Sequence, residues 1–200
     1  STLHPEFAFL PRKFKIAISG AREDRAATAW HDVGLHLIRN AEGELGFKVL
    51  VGGGMGRTPI IGSVIREFLP WHQVMNFIEA IVRVYNRYGR RDNIYKARIK
   101  ILVKAEGQRY IDDVEAEYLQ TLVHDGGPHT TTQAELDRVT ACCGPPALNT
   151  DGQDSDAQVA HIERTAAEDD VEYSRWLKQN VSAHQNPALR AVTLSFKRLG

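Results

Sequence analysis

Gly46-Phe47-Lys48-Val49-Leu50-Val51-Gly52-Gly53-Gly54 is a short apolar run that breaks into three consecutive glycines. Its length and its bounding glycines predict a buried strand over 46–51 feeding a tight loop. Upstream, Phe14-Lys15-Ile16-Ala17-Ile18-Ser19-Gly20 alternates and ends on glycine, which predicts a strand within 13–20. Between the two, Asp24 offers an N-cap, and Trp30, Val33, Leu37 and Ile38 fall on one side of a helix drawn over 24–40. Past the glycines, Pro59 to Phe68 reads as a short helix closed by Pro70. Val74, Phe77, Ile78, Ile81, Val82, Tyr85 and Tyr88 recur at three- and four-residue spacing, so Trp71–Tyr88 is the strongest helix, stopped by Gly89. Asp92 can cap a further helix through Lys104, and Ile111–Leu122 forms an acidic one. Strands and helices joined by short connectors give an α+β layer structure: a mixed, mainly antiparallel sheet with packed helices.

The texture changes after His124. Gly126-Gly127-Pro128, Gly144-Pro145-Pro146 and Asp151-Gly152 punctuate the chain, so 124–168 reads as a long connector. Asp169–Asn180 reads as a helix and Ala191–Phe196 as a final strand with no partner following it. The organisation expected is a first domain segment over 1–123, the connector over 124–168, and the start of a second half over 169–200.

Composition limits the function classes. The chain has 200 residues, 42% hydrophobic and 25% charged, and no apolar run near the roughly 20 residues that span a bilayer. The first residues lack a signal-peptide core, and a cytoplasmic setting is expected. The chain opens on Ser1 rather than Met, which suggests a start inside a longer product. Two adjacent cysteines, Cys142-Cys143, make neither a disulfide framework nor a four-ligand metal site. The eight histidines show no His-Glu-x-x-His spacing, so no metal site is expected. Net charge is zero, yet residues 1–110 carry 18 Lys and Arg against 10 Asp and Glu, while 111–200 carry 7 against 15. That basic half suits a polyanionic partner or substrate.

Three features could carry chemistry. The glycine loop fails the P-loop pattern, because Val51 stands at its first glycine and Arg57 at its lysine. It fails the dinucleotide fingerprint too, since Arg57 replaces the third glycine. What remains is that Gly52, Gly53 and Gly54 let backbone approach a flat or anionic ligand, with Arg57 and Thr58 ready to pair with it. A tight turn made for packing is the plainer alternative. In Arg12-Lys13-Phe14-Lys15, strand alternation puts Lys13 and Lys15 on one face, about 7 Å apart, where they repel unless an anion intervenes. A basic edge that discourages aggregation is the alternative there. The third feature is the basic run around Gly89, from Arg87 to Lys100; no nucleic-acid motif accompanies it, so nucleic acid is not the expected partner.

Leu10-Pro11-Arg12-Lys13-Phe14-Lys15, Leu50-Val51-Gly52-Gly53-Gly54, Thr58-Pro59-Ile60-Ile61 and Gly89-Arg90-Arg91-Asp92-Asn93-x-x-Lys96-Ala97-Arg98-x-Lys100 together resemble the siroheme-containing sulfite and nitrite reductase haemoproteins. The resemblance covers residues 1 to about 122, and more loosely 170–200 as the start of a second, ferredoxin-like half. It implies six-electron reduction of sulfite to sulfide or nitrite to ammonia at siroheme coupled to a [4Fe-4S] cluster. It implies that Lys13 and Lys15 contact the anion and supply protons. Arg12, Gly52, Gly53, Gly54, Arg57, Thr58, Arg91, Asn93, Lys96 and Arg98 fall where the family wraps siroheme, whose eight carboxylates match the basic half. The family's cluster ligands are four cysteines in two short motifs, and Cys142-Cys143 fits neither; its two anion-binding arginines lie upstream of Ser1. The chain is therefore expected to be a central fragment, inactive alone, that works with the rest of the haemoprotein and a flavoprotein or ferredoxin donor. The reading from another class is a standalone module that holds an anionic ligand or nucleic acid on the glycine loop and basic face.

Overall fold

The computed structural model describes residues 4–144, 155–184, 186 and 189–196. They divide into two compact units at Cys142/Cys143. In the first, four strands, β1 (Ile16–Ser19), β2 (Val33–Arg39), β3 (Leu45–Val51) and β4 (Ser63–Pro70), lie side by side in sequence order. β1 runs parallel to β2, while β2–β3 and β3–β4 are antiparallel, so the sheet is mixed and mainly antiparallel as expected. Helices α1 (Val74–Tyr88), α2 (Ile99–Glu106), α3 (Gln108–His124) and α4 (Gln133–Cys142) follow.

One core joins sheet and helices. Val33 and Leu35 of β2, Val49 and Val51 of β3 and Leu69 of β4 are sealed against Phe77, Ile81 and Tyr85 of α1, with Ile99, Tyr110 and Val114 closing the other side. Ile78 is half-buried against the same cluster, so the apolar stripe of α1 is buried as its spacing requires. The Tyr110 hydroxyl donates to the Ile81 carbonyl at 3.2 Å, which satisfies the polar end of a buried ring.

Two predicted helices are strands. Over 24–40 the chain makes a single 3-10 turn, Thr28–Trp30, and then β2. Asp24 does act as a cap, but of that turn: its carboxylate accepts from the Thr28 amide at 2.8 Å and hydroxyl at 2.7 Å. Burial pushes its pKa up, and the bonds from Thr28 more than offset this, holding it below the ordinary carboxylate range. The segment predicted helical over Pro59–Phe68 is a loop followed by β4. Register shifts in the β3–β4 ladder break the two-residue alternation there, leaving Val64, Ile65, Phe68 and Leu69 at a spacing that imitates a helix. The helix expected from Asp92 starts only at Ile99; Asp92 instead accepts two bonds from the Arg90 guanidinium, at 2.9 and 2.5 Å.

The strand expected over 13–20 is the four-residue β1, preceded by extended chain in which Val33 donates to the Lys15 carbonyl at 3.1 Å. α4 and part of α5 (Ser155–Asp169) lie within 124–168, where punctuation predicts a connector; Pro145-Pro146 and Asp151-Gly152 lie outside the described residues. In the second unit, α5 leads to α6 (Val171–Asn180), capped by Asp170, whose carboxylate accepts from the Tyr173 amide. β6 (Arg190–Val192) has a partner after all, but one that precedes it: it pairs antiparallel with β5 (Val181–Ala183).

Candidate functional site

Three of the stretches singled out in the sequence meet at one residue that it did not flag. Asp32 lies just before β2 and is fully buried. One of its carboxylate oxygens accepts from the Lys15 backbone amide at 3.0 Å. The other accepts from Nε and Nη2 of Arg98 at 3.1 and 2.7 Å. Its own carbonyl accepts from the Gly52 amide at 3.0 Å. The Lys13–Lys15 segment, the glycine loop and the 91–98 segment are thereby tied to one anchor. A buried carboxylate is tolerable only when its lone pairs are taken, and here a guanidinium and an amide take them.

Around this anchor the chain is held firmly. The Arg12 guanidinium donates to the Ile94 carbonyl at 2.5 Å, joining the first segment to the third a second time. The Tyr85 hydroxyl donates to the Ala97 carbonyl at 2.8 Å, and Phe14 stacks on the Tyr85 ring at 5.9 Å. Burial, and then the negative charge of Asp32, push the Tyr85 phenol up to about 12. Lys100 is buried as well, and its ammonium donates to the carbonyls of Met55 at 3.2 Å and Thr58 at 2.6 Å, pinning the loop beyond the glycines. Burial, then the neighbouring Arg98 charge, lower its pKa.

The glycines themselves serve packing. Gly52 has φ +86°, and a Cβ there would lie 2.9 Å from the Val103 side chain. A Cβ on Gly53 would stand 2.3 Å from the Ala29 carbonyl oxygen, so the loop backbone runs directly against the 3-10 turn. Gly54 faces the stem of Lys100 and bridges to Ile60. The tight-turn reading is thus sufficient for Gly52 and Gly53, whatever the loop binds.

The remaining residues fall into two groups. Arg91 and Asn93 spend their side chains within the protein: Arg91 donates to Asn86 Oδ1 at 2.6 Å and to the Phe9 carbonyl at 3.4 Å, and Asn93 Oδ1 accepts from the Tyr95 amide. Lys13, Lys15, Arg57 and Lys96 are exposed, and their charged ends have no hydrogen-bond or ion-pair partner among the described residues. Thr58 is also exposed and offers its carbonyl to Lys100. Lys13 and Arg12 further line an open cleft of about 740 Å³ whose apolar side includes Leu10, Phe14, Ile16, Met75 and Ile78.

The arrangement is an α+β domain with unpaired cations on segments fastened to a buried acid. Comparison with known proteins places it. Residues 1–120 match the nitrite and sulphite reductase 4Fe-4S domain, and the chain belongs to that family. It is 33% identical over 137 residues to sulfite reductase (ferredoxin) 1 of Mycolicibacterium paratuberculosis, a match over 68% of this chain and 24% of that protein. It is 34% identical over 112 residues to the sulfite reductase (NADPH) hemoprotein beta-component of Staphylococcus epidermidis, over 52% of this chain and 19% of that one. The structure of the Mycobacterium tuberculosis NirA protein superposes with a TM-score of 0.53 at 33% identity, covering 58% of this chain and 21% of NirA. The chain therefore spans about a quarter or less of the length of these relatives.

Proposed function

We propose that this chain supplies part of the siroheme and anion site of an assimilatory-type sulfite reductase, with sulfite as the substrate named for its relatives and nitrite as its chemical analogue. The observation that carries the reading is the convergence on Asp32 of the Lys13–Lys15, Gly52–Thr58 and Arg91–Arg98 segments. The residues fit a polycarboxylate macrocycle: Lys13, Lys15, Arg57 and Lys96 are exposed and unpaired cations, and the loop carrying Arg57 is held by Lys100. They do not fit a [4Fe-4S] cluster, since Cys142 and Cys143 are exposed neighbours and two thiolates cannot complete a four-cysteine set. When bound, siroheme would supply the electrons of the reduction.

The work of this chain's residues follows from charge. Lys13 and Lys15 would neutralise the oxyanion's oxygens and hand over protons as each S–O or N–O bond breaks, since an oxide leaves only as water. The Lys15 backbone is bonded at both ends, its N–H to the Asp32 carboxylate and its C=O to the Val33 amide, so the ammonium is left free for the ligand. Arg98, spent on Asp32, would position the segment rather than touch the ligand. The Mycolicibacterium paratuberculosis relative named for ferredoxin matches 68% of this chain and the Staphylococcus epidermidis relative named for NADPH 52%, so a ferredoxin-class donor is proposed.

β1 is an edge strand, so a basic segment leading into it also suits protection against aggregation. Turnover separates the two. In the siroheme-loaded enzyme, Lys13→Met or Lys15→Met is expected to lower sulfite turnover by roughly a hundred- to a thousandfold, the usual loss for one donor to a developing oxyanion, with the siroheme spectrum unchanged. Turnover within about twofold of the parent in both variants would leave only the edge role.

A further inference from the structure

Away from the Asp32 anchor, α1 and the N-terminal segment bring together a second cluster. His4, Glu6 and Glu79 each place a potential ligand atom within 4.8 Å of the other two. Glu79 is buried, and its Oε2 lies 2.7 Å from Nε2 of His129. The other carboxylate oxygens of the cluster are engaged too: Arg83 Nε donates to both oxygens of Glu6 at 3.0 and 3.1 Å, and its Nη2 to Glu79 Oε1 at 2.7 Å. Arg83 and Arg87 also pair with Glu117, at 3.3 and 3.0 Å. Three carboxylates thus face two guanidiniums, with the His129 imidazole as the further group on Glu79.

One atom in the cluster is unexplained. Nδ1 of His4 is the single buried side-chain nitrogen or oxygen without a hydrogen-bond partner among the described residues. An orphaned polar atom normally costs about 1–3 kcal/mol and is rarely left so. The ring is not free to turn away, because it stacks on Phe7 at 4.5 Å with an interplanar angle of 18°. A cation shared with the two neighbouring carboxylates would take the Nδ1 lone pair.

We propose that His4, Glu6 and Glu79 bind a divalent transition-metal ion of the zinc class. One imidazole and two carboxylates are a donor set such ions accept, with a fourth position for water. Metal–ligand bonds of roughly 2.0–2.2 Å place tetrahedral ligand atoms about 3.3–3.6 Å apart, so closing from 4.8 Å needs short movements. Glu6 is exposed and His4 lies close to the start of the chain, so both can make them. His129 would orient Glu79 by donating to its outer oxygen, as groups hydrogen-bonded to metal ligands commonly do. The expectation of no metal site rests on finding no His-x-Glu spacing, but His4-Pro5-Glu6 is such a pair, and Glu79 comes from α1, so the third ligand is invisible to spacing along the chain.

The test is titration of the untagged 200-residue chain with Zn²⁺ by calorimetry and with Co²⁺ by visible absorption. One equivalent should bind, with d–d bands of a tetrahedral or five-coordinate N/O site. His4→Ala and Glu79→Gln should each weaken binding at least tenfold, while the Cys142→Ser/Cys143→Ser variant should bind as the parent does. His4→Ala gives up only the stacking on Phe7 and breaks no hydrogen bond or ion pair, so it stays informative if Glu79→Gln fails to fold. No stoichiometric binding by the parent chain would overturn the proposal; Glu79 and His129 would then be only a close pair of side chains. Binding unchanged in His4→Ala, or lost in the cysteine variant, would overturn it equally.

Discussion

Asp32 and Lys15 are joined by one hydrogen bond, yet their side chains live under opposite rules. Asp32 is fully buried, and donors occupy both of its carboxylate oxygens. Lys15 is exposed and its ammonium has no partner among the described residues. In the first region charge holds the chain in place; in the second the chain holds charge in place. The lesson is that the same few residues can be structural through their backbone and functional through their side chains. Variants should therefore separate cleanly into those that unfold the domain and those that silence it.

The largest expected effect is on the structural side. Asp32→Ala strands the Arg98 guanidinium and frees the Lys15 amide, while the Gly52 amide keeps the backbone carbonyl of residue 32, and breaking a buried pair from one end typically costs about 3–5 kcal/mol. Urea unfolding should show that loss, and a cost below about 1 kcal/mol would mean the three segments are held by something else. Next come the lysine variants, with the turnover loss given above and a urea midpoint within about 0.5 kcal/mol of the parent.

Tyr85 gives an intermediate effect with a defined pH window. Its pKa is raised to about 12 in the fold from an ordinary 10, so the fold favours the neutral phenol. That contribution, roughly 2–3 kcal/mol, is fully present below pH 10 and is lost as pH rises through about 12. Tyr110, raised further by burial, sustains the loss to higher pH. In alkaline unfolding curves Tyr85→Phe should remove about one proton from the slope between pH 10 and 12, and an unchanged slope would contradict the burial of this phenol against Asp32. Gly53→Ala should cost roughly 1–3 kcal/mol in urea unfolding even without a ligand, because the new methyl meets the Ala29 carbonyl. A stable Gly53→Ala chain would return that glycine to the ligand. The smallest effect belongs to Arg57→Ala, which should leave stability within about 0.5 kcal/mol while weakening siroheme retention on dilution, read from the absorbance that survives gel filtration.

Pattern along the chain was enough for α1, α3 and β3, because each has a clear period or clear glycine boundaries. It failed at β2, where Trp30, Val33, Leu37 and Ile38 suit a helix while Val33, Leu35 and Leu37 equally suit a strand. Only pairing with β3 decides between them. Of the candidate site, the exposed cations were legible and the anchor was not. Asp32 acts on residues 17 and 66 positions away, and nothing beside it in sequence signals that. The glycine loop was legible as a close approach, but what it approaches, the Ala29 carbonyl, depends on a 3-10 turn that the helix reading had erased.

The central claim is that free charge at Lys13 and Lys15, carried on an intact frame, is what the substrate anion meets. The direct measurement is a sulfite titration of the siroheme-loaded enzyme, followed through the siroheme spectrum, for the parent and for Lys13→Met/Lys15→Met. The expected result is equal siroheme content, equal unfolding midpoints and sulfite binding weakened at least a hundredfold in the double variant. Sulfite binding within twofold of the parent, at equal siroheme content, would contradict the account.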